Sequence, residues 1–348
     1  MSVLGTGCAL PGDPVSTQDL LDRIERNFGL NTRTGVAIGR RLGIAHRHLS
    51  RDVKERFETP RAGDRNPELA ARAVAMALRN AELSVARLQY LIGHTATPAR
   101  PLPPNIAEVA DLLGHTRPYA ELRQACTGFA NALQWAEGLL SKPDADPVGI
   151  VGSEVGSVFF DPLALDEDPG QWVNLVQMGD GAASIVLGPD RGEAGAYLEK
   201  AFFGHLGPGR SSGFALEEGG SDYPSIRPGH VVATFRHDFE AVREGGAELF
   251  HAGLSAAKEA GVDLATLTTI VPHQVNGRIG VWLAEAFHLP VERFFVNAAR
   301  VGNLGSAAIW VALHELRASG TLKPGDRVLI LGAEATQYLY GGFEYVHG

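Results

Sequence analysis

Residues 81–94 read AELSVARLQYLIGH, and about 180 residues later, at 260–273, the chain reads AGVDLATLTTIVPH. Ala81, Ala86, Leu88 and His94 match Ala260, Ala265, Leu267 and His273, and the apolar positions between them correspond. Each stretch has the pattern of a helix end, a short connection and a buried strand whose far end carries a histidine. A second pair follows at nearly the same offset, VGIVGSE at 148–154 and VLILGAE at 328–334. Both are short apolar runs closing on glycine, a small residue and glutamate, as expected of fully buried strands leading into loops. Two matches at almost one offset restrict the chain to a duplicated α/β architecture, with strands of both halves entering a central sheet. The expected division is 1–188 and 189–348.

Between these anchors the pattern alternates. Residues 67–80 read as a helix with Pro67 in its first turn, 126–140 and 240–260 as helices, and 305–319 as a helix rich in small residues. GDGAASIVLG (179–188) is a turn followed by a buried strand, and 189–236 is glycine-rich, with strands and a surface loop. Four prolines make ATPARPLPPN (96–105) a rigid loop. No apolar run reaches the ~18–20 residues of a membrane span, and no signal-peptide pattern opens the chain, which predicts a cytoplasmic protein. A formal net charge of -9 argues against nucleic acid as partner, since phosphate binding needs a basic surface. Two cysteines in 348 residues support neither a disulfide framework nor a metal site.

Of these, Cys8 lies in the apolar opening VLGTGCALP and is expected to be a small buried hydrophobe. Cys126 follows the strand-like YAELRQA and opens the helix CTGFANALQWAEGLL, where the helix dipole and free N–H groups are expected to favour a thiolate. Its alternative role is a structural cysteine. His273 sits at a strand end in VPHQVNGRIG and Asn303 in a loop entering a helix, RVGNLGSAAIW. Taken singly, these two read more simply as a structural or surface histidine and a helix N-cap. Cys126 and Asn303 nonetheless occupy roughly equivalent places in the two halves, so related helix N-termini are expected to face one another across a pocket. A nucleophile, an acid/base and an amide donor would then meet there, which is what thioester chemistry requires.

QACTGFANAL, VPHQVNGRI, GNLGSAA, MGDGAASIVLG and LGIAHRHL resemble, in that order, five motifs of the 3-oxoacyl-acyl-carrier-protein synthase III family of the thiolase superfamily. They are its nucleophile motif, its VPHQxNxRI and GNxSAA motifs, its GDGAGAxVL loop and its TGIxxRHI segment, and the resemblance runs from about residue 3 to 345. It implies a five-layered αβαβα thiolase fold and a homodimer with no permanently bound cofactor, acting on phosphopantetheine thioesters (acyl-ACP or acyl-CoA). Cys126 would accept the acyl group, and His273 and Asn303 would hold the thioester carbonyl of a malonyl- or 3-oxoacyl-type extender. Asn276 and Arg278 fall in the histidine motif, with Arg278 at a position that helps dock the acyl carrier protein. Leu102 of the proline-rich loop would close the partner subunit's acyl pocket.

Departures from the family pattern concern the donor. The tryptophan that stacks on adenine of CoA is replaced at Ala37, although Arg41 retains a basic group for phosphate, which favours a carrier-protein donor. AEATQYLYGG (333–342) replaces the glycine-rich GGGxTWG, so the second oxyanion amide would come from near Thr336. These changes point to a member of secondary metabolism, in fatty acid or polyketide biosynthesis. Two rival readings are an acyltransferase moving the acyl group to a hydroxyl or amine, and a non-catalytic subunit. Retention of Cys126, His273 and Asn303 argues against the second.

Overall fold

A computed structural model of the chain describes residues 1–51, 53, 60–190, 192, 195–226, 228 and 232–348. The strands are β1 (Ser2–Ala9), β2 (Val15–Ser16), β3 (His46–Arg47), β4 (Tyr90–His94), β5 (Tyr119–Leu122), β6 (Val148–Glu154), β7 (Gly181–Gly188), β8 (Tyr197–His205), β9 (Phe214–Leu216), β10 (Phe235–His237), β11 (Leu267–Pro272), β12 (Arg327–Glu334) and β13 (Leu339–Val346). The helices are α1 (Thr17–Phe28), α2 (Arg33–Leu42), α3 (Asn66–Asn80), α4 (Asn105–Leu113), α5 (Gly128–Leu139), α6 (Ala164–Glu167), α7 (Gln171–Gln177), α8 (Phe239–Glu259), α9 (Ile279–Phe287), α10 (Ala298–Val301) and α11 (Ala308–Ala318). The two repeated apolar runs are β6 and β12, buried along nearly their whole length as their composition requires. The expected strands of 189–236 are β8, β9 and the start of β10, while 191, 193, 194, 227 and 229–231 of that stretch lie outside the described residues.

Nine strands are hydrogen-bonded in the order β11-β12-β13-β8-β1-β7-β6-β4-β5. The order mirrors itself about the β8–β1 junction. On one side β4 runs parallel to β6, and β6 antiparallel to β7; on the other β11 runs parallel to β12, and β12 antiparallel to β13. Even the outermost β5 has a counterpart, a single parallel bridge between Ile270 and Phe294. The sequence echo is therefore an echo of topology.

β1 and β8 touch only near their starts, where Ser2 faces Tyr197 and Val3 N–H donates to the Ala196 carbonyl at 2.8 Å. That slight junction lets the two half-sheets part around α5 and α11. Phe129 of α5, Trp310 of α11 and Phe343 of β13 pack there with ring centroids 5.8–5.9 Å apart. Such pairs add about 0.5–1.5 kcal/mol each beyond area burial. α3 covers β1, β6 and β7 from outside, and α8 covers β8, β12 and β13. The layers are thus helix, sheet, helix, sheet, helix, the five-layered thiolase arrangement. No helix among the described residues is long and apolar enough to cross a membrane.

Helix ends carry the chemistry expected of them. Ser16 caps α1 by accepting from Asp19 N–H, and Asp238 caps α8 by accepting from Ala241 N–H. The proline-rich segment 96–105 is irregular up to Asn105, where α4 begins. Cys8 is in β1, packed against the core, and burial pushes its thiol up to about 12.

Candidate active site

Both repeated strands end in a buried glutamate, and each glutamate holds the opposite half. Glu334, ending β12, accepts from Thr127 N–H at 2.8 Å and from Thr127 Oγ1 at 2.7 Å, in the turn that opens α5. Glu154, ending β6, accepts from Ser306 N–H at 3.3 Å and from Ser306 Oγ, in the turn that opens α11. Thr97 Oγ1 and Ala96 N–H donate to Glu154 as well, and Thr336 Oγ1 donates to Glu334. A carboxylate placed on orphan N–H groups at a helix start is stabilising on its own account. Here it also pins the two helix entries face to face.

This pairing corrects the symmetry expected from sequence. Thr127 corresponds to Ser306, so the counterpart of Cys126 is Gly305, and Asn303 lies two residues earlier. Gly305 has φ +50°, and a Cβ there would stand 2.7 Å from Glu154 Cγ, so a side chain equivalent to Cys126 has no room.

Cys126, His273 and Asn303 line one cavity of about 140 Å³. Its other walls include Phe214, Phe235, Val242, Leu249 and Phe250, with Glu154, Asn174, Gln177, His237, Glu334 and Thr336 as polar members. Cys126 stands in the turn just before α5, and its thiol is held well above the ordinary thiol range. Burial is the main cause, followed by the charges of Glu334 and Glu154, against which only its own backbone N–H acts. The helix-terminal thiolate expected from sequence is thus overridden, because the same glutamates that satisfy the helix starts place negative charge beside the sulfur.

His273 follows β11 directly, with its N–H on the Leu331 carbonyl at 2.8 Å. Burial lowers its pKa to about 4, so the imidazole is neutral, and Nδ1 has no hydrogen-bond partner among the described residues. Asn303 is held by backbone bonds on both sides, its N–H to Gln177 O at 2.8 Å and its carbonyl from Gly179 N–H at 3.0 Å. Its Oδ1 accepts from Gly305 N–H at 3.0 Å, which leaves the NH₂ protons as its donors toward the cavity. The GDGA turn is the scaffold for this: buried Asp180 accepts from Ser50 N–H, Ser157 N–H and Ser157 Oγ.

The other residues singled out from sequence divide. Thr336 lines the cavity. Asn276 is buried outside it, its Oδ1 accepting from Arg278 N–H at 2.8 Å in the turn that precedes α9. Arg41 and Arg278 are exposed and neighbour each other's elements, for Gly277 N–H bonds Leu42 O at 2.9 Å and Arg278 lies over Gly43. They form a surface where α2 meets α9 and do not reach the cavity lining; Ala37 is exposed on the same helix as Arg41. Leu102 is 81% exposed and also lies off the cavity. Sequence reasoning missed Glu154, Glu334, His237 and Asn174 as cavity residues. The two glutamates had a signal, since each closes one copy of the repeated strand.

Two family models match the chain, 3-oxoacyl-[acyl-carrier-protein (ACP)] synthase III over residues 120–205 and 3-oxoacyl-[ACP] synthase III C terminal over 257–338. The beta-ketoacyl-[acyl-carrier-protein] synthase III 3 of Streptomyces coelicolor is 31% identical over 331 residues, covering 94% of this chain and 91% of its own. The chain belongs to the synthase III family. A Rhodobacter capsulatus synthase III is 29% identical, with 94% and 93% covered. Among solved structures, AbyA1, a tetronic acid condensing enzyme, superposes with a TM-score of 0.84 at 28% identity over 99% of both chains. The synthase III of Aquifex aeolicus gives 0.79 at 25% identity, again over 99% of both. The first synthase III model spans Cys126 and Glu154, and the C-terminal one spans His273, Asn303 and Glu334.

Proposed function

We propose that this synthase III-family chain is a Claisen-type condensing enzyme whose reaction centre is Cys126, His273 and Asn303. One observation carries the reading: the three side chains, contributed by sequence-distant turns, line a single largely apolar cavity. Cys126 Sγ attacks an acyl thioester, the thiol proton leaves, and a pantetheine thiol departs as acyl-Cys126 forms. Because thiol and imidazole are both neutral at rest, the proton is transferred as the S–C bond forms, and His273 takes it and passes it to the departing pantetheine sulfur.

In the second half, a malonyl-type thioester places its carbonyl between the His273 and Asn303 donors. Loss of CO₂ leaves the electron pair as an enolate held by those neutral donors. The enolate carbon attacks the acyl carbon, the C–S bond to Cys126 breaks, and a 3-oxoacyl thioester leaves. With a 3-oxoacyl-type partner, removal of an α-proton replaces loss of CO₂. The Cys126 N–H and an amide near Thr336 supply the acyl oxyanion site.

Residues 1–188 and 189–348 act as the two halves, each giving one helix entry. The enzyme works as a homodimer with Leu102 directed at the partner's acyl pocket. It takes its substrates as acyl carrier protein or CoA thioesters with no resident cofactor. Arg41 and Arg278 form the basic contact for an acidic carrier, and exposed Ala37 offers adenine no aromatic face, which favours carrier over CoA. Intact-mass analysis after exposure to a panel of acyl thioesters tests the reading. A mass increment on Cys126, followed by its loss and a 3-oxoacyl product when malonyl thioester is added, is expected. Transfer of the acyl group to an alcohol or amine with no new C–C bond would replace this reading by the acyltransferase one.

A further inference from the structure

The wall of the cavity formed by β9, β10 and the start of α8 is apolar, with one exception. His237, at the end of β10, lines the cavity together with Cys126. Its ring lies against Phe239 with centroids 4.0 Å apart and meets the edge of Phe214 at 5.4 Å, so its plane is fixed. Its Nδ1 is 3.0 Å from Asn174 Oδ1.

The neighbours of Asn174 decide which ring nitrogen carries the proton. The Phe235 backbone carbonyl can only accept, and it receives Asn174 Nδ2 at 3.3 Å and Gln171 Nε2 at 2.7 Å. Gln171 Nε2 also donates to Asp168 Oδ2 at 2.9 Å, so its Oε1 is the group that receives Asn174 Nδ2. Asn174 therefore presents an oxygen to His237, and Nδ1 must be the donor. Nε2 is left with a lone pair, and it has no hydrogen-bond partner among the described residues. Burial holds the ring neutral, its pKa lowered to about 4 despite the nearby Asp238 and Asp168 carboxylates. The result is an oriented acceptor on a wall otherwise built for hydrocarbon.

We propose that His237 is a specificity-determining residue that accepts a hydrogen bond from a hydroxyl on the acyl chain, so that the donor loaded on Cys126 is a hydroxyacyl thioester. The proposal rests on the reading of Cys126 as the acylated nucleophile. A plain alkyl chain would leave Nε2 buried without a partner once the cavity fills, and a lone acceptor covered by hydrocarbon opposes binding. A hydroxyl at the right carbon satisfies it. Phe214 and Phe239 hold the ring so that only some positions of the hydroxyl along the chain fit. Glu334 is less suited to this role, since three of its roughly four acceptor sites already receive donors from Thr127 and Thr336.

The experiment compares single-turnover loading of Cys126 from butyryl-pantetheine with loading from its 2-, 3- and 4-hydroxy derivatives, read by intact mass. Wild type is expected to prefer one hydroxy isomer over butyryl by roughly 10- to 100-fold, the range for satisfying against burying an unpaired acceptor. His237→Phe should bring that ratio close to one. His237→Gln keeps an acceptor and should restore part of the preference; it also serves if the Phe variant does not fold. Equal loading of butyryl and all three hydroxy isomers by wild type overturns this proposal alone, as does a preference that survives in both variants. Absence of loading from every thioester overturns the Cys126 reading and this proposal with it.

Discussion

Replacing Glu334 by glutamine tests the electrostatics of the site, because it removes one charge beside the Cys126 sulfur and almost no volume. The thiol is raised first by burial, then by Glu334, then by Glu154. Burial and Glu154 survive the change, so the thiol should fall without reaching a free cysteine's value. A like charge at close range disfavours the thiolate, so loss of this one of two carboxylates lowers the thiol's pKa and raises the thiolate fraction at any pH below its range. Nucleophilicity falls with basicity at a Brønsted slope of about 0.4–0.5, so each tenfold gain in thiolate should raise the alkylation rate by a net ~3-fold. The same substitution puts an NH₂ among three donors, Thr127 N–H, Thr127 Oγ1 and Thr336 Oγ1. That should cost about 1–3 kcal/mol of stability. The assay is iodoacetamide labelling against pH on a Cys8→Ala background, followed by intact mass. Cys8, pushed up to about 12, would contribute little in any case. A less stable protein whose labelling midpoint moves to lower pH is expected. A midpoint that stays in place or rises would refute the account of how Glu334 acts on the sulfur.

Cys126→Ala should abolish acyl loading and leave the thermal midpoint within a few degrees, and full loading of that variant by mass would remove Cys126 as nucleophile. Asn303→Ala should still load Cys126 but lose condensation by about 10²–10³, the worth of one oxyanion-type donor, checked by product formation from preloaded enzyme. Arg41→Ala with Arg278→Ala should raise the KM for a carrier-protein substrate and flatten its salt dependence, while loading from free pantetheine thioesters is unchanged. Buried His94 (pKa about 3) and His273 (about 4) are neutral in the fold and titrate near 6.5 when unfolded. The stability they contribute is complete above pH 6.5 and is lost as pH falls from 6.5 toward 4–3, at up to about 1.4 kcal/mol per unit for each. Thermal midpoints measured from pH 7 to 4 should fall accordingly, and a flat profile would contradict their burial as neutral groups.

What was legible in the sequence was what strands and turns encode locally. β6 and β12 were visible because strands buried on both faces must be continuous apolar runs. Cys126, His273 and Asn303 were visible because each sits in a distinctive turn at a strand end or helix start. The ionisation of Cys126 was misread because the helix start is a local feature, whereas Glu334 reaches that turn from 207 residues away. Arg278 lies in the histidine motif, yet only tertiary placement shows it over Gly43 on the surface. His237 carried no signal at all, since its tautomer depends on Asn174, 63 residues earlier, and on which way that amide faces.

The duplicated fold also accounts for why the proposed reaction centre is single and not repeated in both halves. His94 is the counterpart of His273, at the end of β4 as His273 is just beyond the end of β11. Trp310 Nε1 donates to His94 Nε2 at 3.0 Å, which uses that nitrogen as an acceptor inside the core between the half-sheets. Gly128 packs so closely on the His94 ring that even a methyl group there would collide with it, at 2.7 Å from Nδ1. His94 is thereby a structural group, while His273 faces a cavity. The thiol is likewise unpaired by symmetry, because its counterpart is Gly305, whose lack of a side chain lets Glu154 reach Ser306. The glutamates alone stay symmetric, and they do so because both helix starts need the same anion. Symmetry is kept where it builds the scaffold and broken at the thiol and the imidazole, so that Cys126 and His273, from opposite halves, share a single cavity.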